Sequence, residues 1–66
     1  MKNTIRVERA IHDLTQAELA VKVDVSRQTI NAIEAGKYVP SATLALKIAR
    51  LFKKSVNDIF ELEKGD

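Results

Sequence analysis

Apolar residues recur along the 66-residue chain at intervals of three and four, a spacing typical of short amphipathic helices. Residues that begin or end helices separate these stretches and divide the chain into about five of them. The expected inward stripe of the first helix is Ile5, Arg9, Ala10 and Ile11, after an N-cap at Asn3 or Thr4. The pattern predicts an all-α fold, a compact bundle of about five short helices.

The second and third helices are expected to follow each other closely. Thr15 and Glu18 fit a capping box, in which the Thr hydroxyl accepts a free amide and the Glu reaches back. The apolar residues of this second helix are Leu19, Ala20 and Val23. Ser26 is the expected N-cap of a third helix over Arg27–Ala35, which Gly36 ends.

The last third of the chain predicts two more helices and an extended tail. Pro40 disfavours helix in the residue before it, and Ser41 then opens the fourth helix. The apolar face of that helix comprises Leu44, Ala45, Ile48, Ala49, Leu51 and Phe52. Ser55 caps a short fifth helix through Val56, Ile59 and Phe60. Residues 60–63 alternate apolar and charged side chains, which suits a short strand or an extended arm.

Composition narrows the range of functions without naming one. Lys and Arg number 11 against 9 Asp and Glu, and a net charge of +2 is too small to indicate nucleic-acid binding by itself. The acids crowd near the C-terminus at Asp58, Glu61, Glu63 and Asp66, so the first 57 residues carry most of the positive charge. The absence of cysteine excludes disulfides and thiolate metal sites. A chain of this size is marginally stable alone, and a second copy is the expected support.

Enzymatic and membrane functions find little support. No apolar run is long enough for a membrane span and no secretory signal is present, so a cytoplasmic protein is expected. The single histidine, His12, is best explained as a favourable dipole partner at a helix C-terminus. Asp58, Glu61 and Glu63 fit a solvated acidic tail better than a cation site. Two glycines cannot build a phosphate-binding loop. We expect no catalytic residue, no metal and no cofactor.

The third helix carries the most informative polar residues. Ile30 and Ile33 are expected to face the core, whereas Arg27, Gln28 and Asn31 lie within about one turn near its N-terminus. Arg can donate two hydrogen bonds to guanine, and Gln and Asn can form two with adenine. The exposed face is also poor in acid, as an approach to phosphate requires. Taken alone, these residues fit an ordinary solvated surface equally well.

The surrounding sequence favours DNA. Two short helices joined by a turn of three or four residues, the second capped by Ser, form the unit that seats a helix in the major groove. In order and spacing the chain resembles the Cro/repressor-type helix-turn-helix family, often called XRE-like. The resemblance covers nearly the whole chain through LTQAELA (14–20), VSRQTIN (25–31), IEAGKY (33–38), PS (40–41), LKIA (46–49) and DIF (58–60). It implies a single lambda-repressor-like DNA-binding domain over residues 1–66, typical of bacterial or archaeal transcriptional regulators.

The resemblance also implies individual roles. The residues expected to contact bases are Arg27, Gln28 and Asn31. Those expected to contact phosphates are Gln16, Ser26, Thr29, Lys37 and Tyr38, which fix register without reading sequence. Two of the phosphate assignments have structural alternatives. The alternative for Gln16 is that it is simply the first residue of helix two. The alternative for Tyr38 is that its ring packs against helix four.

A structural ion pair follows from the same resemblance. Arg9 and Glu34 fall on the inward sides of helices one and three, where members of the family pair an Arg with a Glu. We therefore expect a partly buried salt bridge between them. Glu8 stands where many members carry an apolar residue, so helix one is expected to be less buried than usual. Glycines common at family turns are replaced here by Asp13, Asp24 and Lys53, each of which is expected near positive φ.

A homodimer is the expected active form. One recognition helix reads few bases, and two-fold symmetry places two of them on half-sites about 34 Å apart. The expected dimerisation segment is residues 59–66, through Ile59, Phe60 and Leu62, with Val7 or Leu46 as further candidates. The alternative for Phe60 is that it closes the core of the monomer.

The predicted function is therefore that of a repressor that binds a double-stranded DNA operator as a homodimer and occludes a promoter. No small-molecule effector domain is expected. Within the regulator class, an antitoxin or a restriction-modification controller is the alternative. From another class, the alternative is a protein-interaction module that has kept the fold and lost DNA binding. A steep dependence of DNA affinity on salt distinguishes a DNA-binding regulator from such an interaction module.

Overall fold

Five helices and one two-stranded antiparallel sheet make up the fold, which a computed structural model describes over residues 1–66. In chain order the elements are β1 (Lys2–Asn3), α1 (Ile5–Ile11), α2 (Gln16–Val23), α3 (Arg27–Glu34), α4 (Ala42–Leu51), α5 (Val56–Ile59) and β2 (Phe60–Glu61). The predicted five-helix bundle is confirmed, but Phe60, predicted to lie in the fifth helix, begins strand β2 instead. None of the helices has the length and apolar character that crossing a bilayer requires.

Side chains at the predicted caps begin α2, α3 and α4. The Thr15 hydroxyl accepts the Glu18 amide at 3.0 Å while Glu18 Oε1 accepts the Thr15 amide at 2.9 Å, which confirms the capping box. Ser26 Oγ accepts the Thr29 amide at 3.1 Å at the start of α3. Ser41 does the same at the start of α4, where its Oγ accepts the Leu44 amide at 3.2 Å. Each bond satisfies an amide that the first helical turn leaves without a partner.

Three turns hold a non-glycine residue in the left-handed region. Asp13, Asp24 and Lys53 have φ of 56°, 61° and 57°, as the replacement of glycine at these turns predicts. A left-handed conformation brings Cβ close to the following carbonyl oxygen, and Asp tolerates it better than Lys because its short polar side chain can compensate. Lys53 is therefore the most strained of the three.

Replacing Lys53 by glycine is expected to raise the free energy of unfolding by about 0.5–1 kcal/mol, because relief of strain exceeds the added entropy of the unfolded chain. Lys47→Gly is the matched control, since Lys47 is also exposed but lies inside α4. That change should lower the free energy of unfolding by about 0.8–1 kcal/mol. Denaturant titration of both variants measures the effect. A destabilised Lys53→Gly protein would contradict the strain argument.

One hydrophobic core joins all five helices. Its largest fully buried side chains are Ile5 from α1, Leu19 from α2, Ile30 and Ile33 from α3, Ile48 from α4 and Ile59 from α5. The smaller Ala20 and Ala45 lie in the same cluster. The orientation of α3 is therefore set by packing of its Ile30 and Ile33 side against the rest of the bundle.

The inward stripe of α1 differs from the prediction. Ile11 is 66% exposed and Ala10 is also exposed, whereas Ile5 and Glu8 are the buried residues. At 100° per residue, Ile11 lies about 240° around the helix from Ile5 and so points away from the core. The assignment of residues 10–11 to the inward stripe was wrong.

Helix α1 was expected to be less buried at Glu8, but this residue is buried despite its charge. Only 3% of the residue is exposed, and its Oε2 lies 2.6 Å from Lys54 Nζ. Its Oε1 has no hydrogen-bond partner. Helix α1 is therefore buried at this position, where the carboxylate is paired with Lys54.

The two ends of the chain form the small sheet. Lys2 lies opposite Glu61 and Asn3 opposite Phe60, and the Thr4 amide donates to the Ile59 carbonyl at 2.9 Å. This pairing turns Ile59 and Phe60 inward, where they are 2% and 6% exposed. Two of the three residues predicted for a dimer interface thus belong instead to the core of the chain. Leu62, the third, is 75% exposed.

Candidate nucleic-acid interface

Helix α3 presents a polar side opposite its buried side. Ile30 and Ile33 are buried, whereas Arg27, Gln28 and Asn31 are all exposed. At 100° per residue the three exposed side chains fall within one arc of about 100° near the N-terminal end of the helix. The structure therefore brings together the three residues predicted to contact bases and leaves them open to solvent.

A short turn holds α3 at a defined angle to α2. Only residues 24–26 separate the two helices. The turn places Asp24 in the left-handed region, and the Val25 amide donates to the Ala20 carbonyl at 2.9 Å. Ser26 then caps α3. Because this turn is hydrogen-bonded at both ends, α2 and α3 form a helix-turn-helix whose second helix has a fixed exposed face.

An ion pair ties the opposite end of α3 to α1. Arg9 donates from Nε to Glu34 Oε2 at 2.7 Å and from Nη2 to Glu34 Oε1 at 3.0 Å. Its Nη1 also donates to the Leu14 carbonyl at 3.0 Å. The side chains are 16% exposed for Arg9 and 3% for Glu34. A paired, planar contact of this kind fixes both position and orientation of the two helices.

The carboxylate of Glu34 stays ionised in this environment. Its burial alone raises the pKa, but hydrogen bonds from Arg9 and Gln16 and the charge of Arg9 outweigh that effect and hold the pKa of Glu34 below its ordinary value. Hydrogen bonding to Glu34 raises the pKa of Arg9 in turn. As Glu34 is the only acid of α3, the exposed side of that helix carries no negative charge.

Gln16 lies at one border of the exposed face. It is the first residue of α2, and its Nε2 donates to Glu34 Oε1 at 3.2 Å. A depression of about 690 Å³ lies between the N-terminal ends of α2 and α3, with Gln16 and Arg27 both on its wall. The Gln16 amide is thus held beside the exposed side of α3 by its hydrogen bond to Glu34.

Lys37 and Tyr38 lie at the opposite border. Both are exposed, and they share a second depression with Ser26, Gln28, Thr29 and Ala32. The hydroxyls of Ser26 and Thr29 lie 3.0 Å apart in that depression. Tyr38 also borders a depression lined by Ser41, Thr43 and Leu44 at the start of α4. The residues predicted to contact phosphates therefore flank α3 on two sides.

Two residues were missed in the sequence, one on α3 and one outside it. Ala32 lies on the exposed side of α3, four residues after Gln28, and that spacing was the available signal. Lys54 neutralises Glu8, a contact between residues 46 apart that no local pattern indicates. His12 lies at the C-terminus of α1, as predicted, and its Nδ1 lies 2.9 Å from the Glu8 carbonyl oxygen.

Comparison with known proteins agrees with this geometry. A family model described as helix-turn-helix matches residues 5–59. The chain is 57% identical over 66 residues to an uncharacterized HTH-type transcriptional regulator of Methanocaldococcus jannaschii, with 100% of both chains covered. It is 52% identical over 60 residues to one of Archaeoglobus fulgidus, covering 91% of this chain and 86% of that protein. A Bacillus subtilis protein of the same description is 47% identical over 64 residues, with 97% of each chain covered.

These matches span nearly the whole chain at about half identity, and the helix-turn-helix they describe is the unit formed here by α2 and α3. Membership in such a family indicates a DNA-binding regulator and not an enzyme. The chain belongs to the XRE-type helix-turn-helix family of transcriptional regulators.

Proposed function

We propose that this regulator is a repressor that binds a palindromic operator in double-stranded DNA as a homodimer and blocks a promoter by occupying it. In this proposal Arg27, Gln28 and Asn31 contact base edges in the major groove. The phosphates on either side are contacted by Gln16, Ser26, Thr29, Lys37 and Tyr38. No cofactor or small-molecule effector takes part.

The observation that carries the proposal is the arrangement around α3. Arg27, Gln28 and Asn31 are exposed on one side of a helix whose other side is buried in the core. The residues assigned to phosphates border that side on both flanks, as the two DNA strands border the major groove. The only acid of α3 is buried and paired with Arg9, so phosphate approaches without meeting an exposed carboxylate on this helix.

The dimensions of the chain support a dimer on adjacent half-sites. Its principal extents are 31 × 23 × 20 Å, so one copy is comparable in size to the half-site spacing of about 34 Å, as two copies bound side by side require. With Ile59 and Phe60 in the core, the exposed apolar candidates for the contact are Leu62, Leu46 and Val7, which are 75%, 60% and 57% exposed. A dimer through the predicted segment 59–66 therefore depends on Leu62 and its exposed neighbours.

Repression would follow from occupancy alone. A dimer bound over a promoter excludes polymerase, and the protein concentration then sets the degree of repression. The relatives come from archaea and from a bacterium, in which chromosomal DNA lies in the cytoplasm. The proposal therefore places the protein there.

Selection of bound sites from random double-stranded DNA tests the proposal. The expected product is a palindrome whose half-site centres lie about 10 base pairs apart or a multiple of that. Affinity for the selected site should fall steeply with salt, with log K decreasing by about 0.9 per phosphate contact for each unit of log salt. Sedimentation with and without DNA gives the stoichiometry. Absence of any enriched sequence, or an asymmetric site bound by a single copy, would contradict the proposal.

A further inference from the structure

The side chain of Asn3 joins the start of one helix to the end of another. Its Oδ1 accepts the amide of Ile5, the first residue of α1, at 3.3 Å. Its Nδ2 donates to the carbonyl of Ile33, in the last turn of α3, at 2.8 Å. The last four carbonyls of a helix lack an amide partner within it, and Asn3 supplies a donor to one of them. The Arg9–Glu34 pair holds the same end of α3 by a side chain, whereas Asn3 holds the backbone.

The backbone of Asn3 belongs to the small sheet. It lies opposite Phe60, and the next amide, that of Thr4, donates to the Ile59 carbonyl at 2.9 Å. Ile59 and Phe60 begin the segment 59–66, which the proposed function assigns to dimerisation. One residue thus contacts the end of α3 through its side chain and the start of the dimerisation segment through its backbone.

The surfaces around this hydrogen bond are not closely packed. A depression of about 320 Å³ is lined by residues 1–3, by residues 34–36 at the end of α3 and by Glu63 of the tail. Surfaces that leave such a space make few van der Waals contacts that could hold them at one separation. A hydrogen bond weakens steeply as its distance and angle depart from the best values. The bond from Asn3 therefore defines the position of α3 relative to the sheet.

A displacement at this point is doubled in a symmetric dimer. If α3 shifts by about 1 Å relative to segment 59–66, the separation of the two recognition helices changes by up to about 2 Å. Successive base pairs are about 3.4 Å apart, and each additional base pair also rotates one half-site by about 36° relative to the other. The half-site spacing that a dimer accepts therefore depends on how firmly α3 is held to the dimerisation segment.

We propose that Asn3 is a positioning residue that holds the end of α3 to the dimerisation segment 59–66 and so restricts the half-site spacing that the dimer binds. This inference rests on the proposed function, because it requires a dimer through that segment on a palindromic operator. It assigns no base or phosphate contact to Asn3. The residue acts on spacing and not on which bases are selected.

Operators of altered spacing test this role. The palindrome selected by the wild-type protein is compared with versions in which one central base pair is inserted or removed, so that both half-sites stay intact. The wild-type protein should bind the altered operators at least about tenfold more weakly, because the DNA or the dimer has to twist to compensate. Asn3→Asp keeps an acceptor for the Ile5 amide but cannot donate to the Ile33 carbonyl. In this variant the spacing preference should fall by about three- to tenfold, the range that the net free energy of one hydrogen bond allows.

Asn3→Ala is the second variant, because it removes the bond without adding a charge, and it should relax the spacing preference in the same way. The readout is a ratio of affinities within one protein, so a loss of folded protein cancels. Asn57→Asp is the matched control. Asn57 is an exposed asparagine of α5 beside the same sheet, and its variant should keep the wild-type preference.

The possible failures of the two proposals are distinguishable. A wild-type dimer that binds its palindrome at every spacing alike would overturn the positioning role and leave the regulator proposal standing. The same holds if both Asn3 variants keep the wild-type preference, or if Asn57→Asp loses as much of it as they do. Absence of a palindromic site, or binding of the wild-type protein as a single copy, would instead overturn the proposed function and this inference with it.

Discussion

Replacing Arg9 by alanine is expected to lower the free energy of unfolding by about 3–5 kcal/mol, the cost of leaving a buried charge without its partner. The stranded group is the carboxylate of Glu34, whose side chain is only 3% exposed. In the variant, Gln16 is its one remaining close donor, at 3.2 Å. For a chain of 66 residues this is a large part of the total stability, so partial unfolding at room temperature is expected.

Glu34→Ala should cost less than Arg9→Ala. The freed guanidinium keeps its hydrogen bond to the Leu14 carbonyl and, being 16% exposed, also reaches water. The double variant removes both charges, and its destabilisation should be smaller than the sum of the two single effects by more than about 1.5 kcal/mol. Thermal and denaturant unfolding of the three variants measures this coupling energy.

Arg6→Ala is the control for this cycle. Arg6 Nε lies 4.0 Å from Glu34 but its side chain is 83% exposed, so its removal should change stability by less than about 0.5 kcal/mol. Additive single effects would show that the Arg9–Glu34 pair contributes no coupling. An effect of Arg6→Ala equal to that of Arg9→Ala would show that surface charge, and not the buried contact, stabilises the fold.

The same pair predicts a dependence on pH. The folded-state pKa of Glu34 lies below its ordinary value because the bonds from Arg9 and Gln16 outweigh the effect of burial. Its stabilising contribution is therefore present above the unfolded pKa of about 4.3 and is lost as pH falls through the lower folded value. In Arg9→Ala, burial becomes dominant and raises the pKa of Glu34. The stability gap between wild type and Arg9→Ala should narrow as pH falls from 7 towards 4.

Substitutions on α3 and at its borders should separate two kinds of DNA contact. Gln28→Ala or Arg27→Ala is expected to cost about 1–3 kcal/mol at each half-site, or twice that for a symmetric dimer, and to relax selection at one base-pair position. Gln16→Ala or Lys37→Ala should weaken binding to all sequences alike. The Lys37 change should also reduce the salt slope by about 1 for each copy. Site selection repeated with each variant, together with salt titration, distinguishes the two outcomes.

Arg50→Ala provides the control for charge. Arg50 is an exposed cation in the last turn of α4, and its loss should alter neither base preference nor the salt slope. The assignment of bases to Arg27 and Gln28 fails if their alanine variants bind every sequence more weakly by the same factor. The assignment of phosphates to Gln16 and Lys37 fails if either change alters the selected sequence.

Much of this interface could be predicted because its construction is local. The Thr15–Glu18 capping box and the Ser26 cap join residues three apart, so both can be recognised directly in the sequence. The left-handed conformations of Asp24 and Lys53 were expected through the resemblance to a family that carries glycine at these turns. The exposed position of Arg27, Gln28 and Asn31 follows from the 100° step per residue and the two isoleucines behind them.

Contacts between distant residues could not be predicted in the same way. Asn3 and Phe60 pair across the small sheet, although neither Lys2 nor Asn3 has strand propensity. Glu8 is buried because Lys54, 46 residues later, reaches its carboxylate. The Arg9–Glu34 pair was expected only through resemblance to a family, since the 25 residues between the partners leave no periodic signal.

The sequence by itself determined about where the helices begin and end, which side of α2, α3 and α4 is apolar and which polar groups α3 presents. These properties arise from interactions between residues three or four positions apart, and the regular geometry of the helix sets that spacing. The tertiary structure decided which charges are buried and paired, which apolar tail residues enter the core and which side chains flank α3. Those outcomes depend on how separate helices pack, and packing is set by the shape of the whole core.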